Sequence, residues 1–133
     1  MSNKNETVIY KWFEEVWNKN SEASIDKLMA ADADIHGIES PNGKNGAEGI
    51  KSFFKAFNEQ FKDVSIAVEH VIKEDDMETA LTHVTAFEKA SGKKIEFSGL
   101  CMTRIKDGKI AEAWNHYDFM NMYHQLGHKM VPA

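Results

Sequence analysis

A chain of 133 residues, 42% hydrophobic and 28% charged, is the size and make-up of one soluble domain that can close one substantial core. Its net charge is −5, and Lys51, Lys55, Lys62, Lys73, Lys93 and Lys94 are scattered without forming a basic stripe, which argues against nucleic acid as a partner. No stretch approaches the roughly 20 apolar residues of a membrane span, the start lacks the apolar run of a secretory signal, and Cys101, the single cysteine, permits no internal disulfide, so a cytoplasmic setting is expected.

Val8, Ile9, Trp12, Phe13, Val16 and Trp17 recur at helical spacing and predict a helix from about Glu6 to Asn18 with a bulky aromatic stripe. Ser24 is placed to cap a short second helix carrying Ile25, Leu28 and Met29. A short strand around Asp34 to Ile38 follows, then a turn-rich run from Ser40 to Gly46. Ile50, Phe53, Phe54, Phe57 and Phe61 mark one face of a third helix.

From Val64 the period changes to two, with Val64, Ile66, Val68 and Ile72 on one side of a strand. Glu74, Asp75 and Asp76 make a turn, Ala80 to Glu88 forms the next strand, and Ser91 and Gly92 lead into a long strand from Ile95 to Ile105. Asp107-Gly108 reads as a tight hairpin, because glycine tolerates positive φ. The last strand runs through Trp114 and Tyr117, Asp118 caps a short helix, and Gly127 stops it.

Helices first and a strand meander afterwards predict an α+β fold, one domain over 1–133: a cone-shaped, curved antiparallel sheet packed on about three N-terminal helices, with a short C-terminal helix. Such a hollow is a natural small-molecule site. If Asn115 faces it, period two places Ala111, Ala113 and Tyr117 beside it. Neighbouring strands then contribute Ala80, Thr82, Val84, Ala86, Phe97, Cys101 and Thr103, with Phe13 and Trp17 closing the space from the first helix. The opposite parity turns Ile110, Glu112, Trp114 and His116 outward, together with His83. Cys101 reads as a small buried residue rather than a nucleophile. His124 and His128 have helical spacing, but Gly127 breaks the helix between them, so no metal and no cofactor is expected.

The order of elements, with the stretches YKWFEEVWNKN, ADADIHG, RIKDGKIAEAW and the terminal QLG, resembles the SnoaL-like polyketide cyclases and ester cyclases of the nuclear-transport-factor-2-like superfamily, whose fold is a cystatin-like α+β barrel. In that family an aspartate on the last strand and a histidine on the preceding one are thought to move protons. Aligned through the DGKI hairpin, those positions fall on Asn115 and Cys101. The related limonene-epoxide hydrolases add an arginine and an aspartate on a middle strand, at positions matching Thr82 and Val84. An amide cannot exchange a proton near neutral pH, so both polar sets are missing and the resemblance carries the fold further than the activity.

The candidates for a catalytic or orienting role are therefore Asn115, as a hydrogen-bond donor to a ligand carbonyl, and His36, the remaining proton shuttle. Phe13, Trp17, Thr82, Phe97, Cys101 and Tyr117 are the candidates for ligand binding. The expected partner is a small apolar ligand, bound by a lyase, isomerase or cyclase, or else by a non-catalytic binding or dimerisation module. The family often dimerises through the outer sheet face, which implies a homodimer with Trp114 at the contact.

Overall fold

The computed structural model describes residues 4–133. Thr7 caps α1 (Val8–Lys11) through its side chain, and the chain continues without a break as a π-helical segment (Trp12–Asn18), closed by bonds from Lys19 N to Glu14 O and from Ser21 N to Val16 O. The expected single helix therefore changes pitch, and residues five apart come to share a face. Next come α2 (Ala23–Leu28), β1 (Met29–His36), α3 (Gly46–Gln60), β2 (Phe61–Glu74), β3 (Met77–Glu88), β4 (Lys94–Lys106), β5 (Lys109–Tyr117) and α4 (Phe119–Gln125). Ser24 lies inside α2 rather than at its cap, and its hydroxyl bonds the Ser21 side chain.

The five strands form one sheet in the order β1-β5-β4-β3-β2. The meander β2 to β5 is antiparallel as expected, but β1 pairs with β5 in parallel, so the sheet is mixed. Parallel neighbours need a long crossover, and here α3 together with the whole meander supplies it. The hairpin at Asp107 and Gly108 has positive φ at both residues, which matches the twist of its strands. Asp118 accepts from Asn121 N at the start of α4, while Gly127, at φ +90°, ends it with bonds from Gly127 N to His124 O and from His128 N to Tyr123 O.

The strand pairings shift register at four places, and two of these bulges turn a side chain off its expected face. Glu69 is extra between the pairs Val68–Thr82 and His70–Leu81, so Ile72 turns outward and is 71% exposed. Ala111 is extra between Arg104–Glu112 and Ile105–Ile110, so Ile110 turns into the core instead of outward. The rest of β5 keeps the expected parity.

Side-chain amides occupy strand edges that lack a partner. Asn18 both donates to Ile66 O and accepts from Ile66 N, covering the free edge of β2. Gln125 does the same for Glu96, where β5 has already ended. Glu78, inward-facing on β3 and 2% exposed, accepts from Ile9 N, so a buried carboxylate meets the positive end of the first helix.

Candidate functional site

Between the helices and the concave sheet face lies a cavity lined by Trp12, Trp17, Met29, Ile35, Ile38, Ile50, Phe53, Phe57, Val64, Ile66, Val84, Phe97, Cys101, Thr103, Ile110, Ala113, Asn115, Tyr117 and Phe119. Its free space is about 50 Å³, several times the roughly 10–15 Å³ that one water requires. Trp17 packs with Phe53 and Phe57 from α3, at centroid distances of 6.0 and 5.6 Å. Phe97, Tyr117 and Phe119 form a second aromatic group, 5.7 to 6.4 Å apart.

Of the residues expected around the hollow, the structure brings together Trp17, Val84, Phe97, Cys101, Thr103, Ala113, Asn115 and Tyr117. Phe13 is instead packed in the core at 1% exposure, and Trp12 takes its place, because the five-residue spacing of the π-helical segment aligns Trp12 with Trp17. Thr82 is fully buried behind the lining and donates to Gly99 O at 3.2 Å. His36 lies on the opposite face of the sheet, stacked on Trp114, so it cannot shuttle protons inside the cavity.

Asn115 is 8% exposed, and its Nδ2 donates to His36 O at 3.0 Å. A carbonyl can only accept, which fixes the amide orientation. Every fully buried side-chain nitrogen or oxygen among the described residues has a partner, so Oδ1, which has none, is not fully buried, and Asn115 lines the cavity. The bond to His36 O uses one of the two amide N–H groups, so the acceptor oxygen stands beside the donor expected from the sequence and does not replace it.

Tyr117 lies flat against Gly99, its partner across the β4–β5 pairing: a Cβ on Gly99 would sit 2.1 Å from the ring. This glycine opens a path for the ring toward Thr82, the next residue on the same rung. Burial raises the Tyr117 hydroxyl well above its ordinary pKa, as does the nearby Cys101 thiol, while a hydrogen bond with the Thr82 side chain acts in the opposite sense. Cys101 sits opposite Asn115, and burial pushes its thiol up to about 12, so it remains protonated at neutral pH and is no nucleophile. Thr103 spends its hydroxyl on Glu78 O. No Asp, Glu or His is among the described residues lining the cavity.

Sequence reasoning missed Trp12, Phe53 and Phe57 as lining residues, Gly99 as the seat of Tyr117, and Glu78 as a buried carboxylate. A glycine interrupting a strand pattern is a signal for close approach and marks Gly99; the alternation of β3, carried back from Ala80 by one step of two residues, marks Glu78 as inward.

Among the described residues no helix is long and apolar enough to cross a membrane. No curated protein matches the chain by sequence. Solved structures similar to it include a proposed polyketide cyclase from Bacillus cereus (26% identity, 90% of this chain and 78% of that one, TM-score 0.79). IdmH from Streptomyces antibioticus, also described as a proposed polyketide cyclase, is similar at 24% identity (95% and 100% covered, TM-score 0.79). A protein of ketosteroid isomerase-like fold from Catenulispora acidiphila shares the architecture at 15% identity (96% and 98% covered, TM-score 0.78). With the family model matching residues 7–126, nearly the whole of this helix-plugged sheet, the chain belongs to the SnoaL-like polyketide cyclases.

Proposed function

We propose that the chain acts as one domain that binds a small, uncharged, mainly apolar ring compound, which donates a hydrogen bond to Asn115 Oδ1. The observation that carries this reading is the lining itself: aromatic and aliphatic on nearly every side, with one unpartnered amide oxygen and neutral Tyr117 and Cys101 beside it. Proton transfer needs a group that titrates near the working pH, and the described lining supplies no carboxylate or imidazole. Binding therefore stands ahead of the second reading, a lyase, isomerase or cyclase that relies on desolvation and Asn115 alone, which family membership favours. The lone free thiol suits a reducing cytoplasm.

The test compares p-cresol, toluene and 4-methylbenzoate by calorimetry. The cresol is expected to bind about fivefold tighter than toluene, the worth of one neutral hydrogen bond of about 1 kcal/mol, and the benzoate not measurably. Asn115→Leu should erase the cresol preference while leaving toluene binding in place. Equal cresol affinity in the wild type and the variant rejects the role of Asn115, and no binding of either neutral ring rejects the pocket.

We also infer a homodimer through the outer sheet face. Leu100 and Met102 are 52% and 38% exposed on β4, with Met102 paired to Trp114, a row of apolar surface that a monomer rarely leaves uncovered. Trp114 itself is half-covered from within, by His36 stacked on it and by the Arg104 guanidinium 5.5 Å from its ring. Sedimentation velocity at micromolar concentration is expected to give a dimer, and Leu100→Glu to shift it to monomer by at least a tenfold loss of affinity. A monomeric wild type, or an unaffected variant, overturns this assembly.

A further inference from the structure

We propose that Asp34, His36 and Glu112, on the sheet face away from the cavity, bind one divalent first-row transition-metal ion. Alternation along β1 turns Asp34 and His36 to the same side, and the parallel pairing sets Asp34 opposite Glu112 and His36 opposite Trp114. His36 Nε2 lies 2.9 Å from Glu112 Oε2 and 3.4 Å from Asp34 Oδ2, and one ligand atom from each residue lies within 4.8 Å of the other two. An ion held at about 2.0–2.2 Å in tetrahedral geometry needs ligand atoms about 3.3 Å apart, which is close to the two distances that His36 Nε2 makes, 2.9 and 3.4 Å.

Residues outside the cluster orient it. Asn45 Nδ2 donates to Asp34 Oδ1 at 3.0 Å, and Arg104 donates to Glu112 Oε1. Each carboxylate thus has one oxygen engaged by an outer donor and the other directed at His36 Nε2, the arrangement by which outer partners set ligands around a metal. The His36 ring is held by stacking on Trp114 at 5.5 Å and 21°. The charges also match a divalent ion: Asp34, Glu112 and Asp76, which lies 3.8 Å from Arg104, set three negative charges against one positive. One imidazole with two carboxylates suits zinc, manganese, iron or nickel, and three protein ligands leave a coordination position open to water.

Zinc chloride titrated calorimetrically into the untagged full chain is expected to show one ion per chain with a Kd in the micromolar range or below. His36→Gln and Glu112→Gln should each weaken this at least tenfold, in line with the loss of a ligand, whereas His124→Gln on α4 should leave it unchanged. Independently of any variant, substoichiometric zinc should move the His36 ring resonances of the wild type before those of His124 and His128. Undiminished binding in both ligand variants, first response at His124 or His128, or no binding below millimolar zinc would each overturn the site.

Discussion

Gly37→Ala is expected to cost about 3–5 kcal/mol of stability and to undo the Asn115 site with it. Gly37 follows β1 at φ +85°, and a Cβ built there lies 1.9 Å from the backbone oxygen of Asn115. The positive φ alone costs an alanine about 1–2 kcal/mol. The overlap cannot be relieved by rotating a side chain, because the obstructing atom is main chain, so the end of β1 must move off β5. That movement withdraws His36 O from Asn115 Nδ2, the bond that fixes the amide orientation. Gly43→Ala is the control: its φ is +69°, but nothing lies within 4 Å of the added carbon, so it should lose only the conformational part. Urea denaturation of the two variants beside the wild type separates collision from backbone preference. Equal losses would mean that the close approach of Gly37 to Asn115 contributes nothing.

Some parts of this molecule are legible in its sequence and others are not. Local chemistry was readable wherever one residue type has one physical use: the Asp107-Gly108 hairpin, the Asp118 cap and the Gly127 stop stand as their composition predicts. The alternation of β5 from Glu112 to Tyr117 was readable too, and with it the inward position of Asn115. Irregularities defeated the pattern. The bulges at Glu69 and Ala111 leave no mark in a hydrophobic alternation, so the period-two pattern puts Ile72 and Ile110 on the wrong faces. Likewise the change to π-helical pitch after Lys11 exchanges Phe13 for Trp12, since both are aromatic and either satisfies a helical stripe. The His36 position was legible as a strand histidine, but its face depends on the parallel pairing of β1 with β5, a non-local feature. The amide orientation of Asn115 depends on the same pairing, because its partner is a backbone carbonyl from β1.

Alkaline pH should destabilise this fold through Cys101. The thiol is 3% exposed, and burial lifts it from 9.0 to about 12. Ionisation removes a proton, so between these values the unfolded chain releases its thiol proton while the folded chain retains it. The unfolded state then binds fewer protons, and stability falls as pH rises. The slope approaches about 1.4 kcal/mol per pH unit, a loss on the order of 4 kcal/mol across the window. Tyr117, raised by the same burial, adds to the loss at the upper end. Cys101→Ala removes the thiol contribution and leaves a small void, so the variant should be about 1 kcal/mol less stable than wild type at pH 7. By pH 11 the order should reverse, with the variant on the order of 2 kcal/mol the more stable, the difference between the relieved ionisation and the void. Urea midpoints at several pH values from 7 to 11 would reveal the crossing. Curves that stay parallel would mean that the thiolate is accommodated in the fold as readily as in water, and would exclude a dry lining at the wall shared by Cys101 and Asn115.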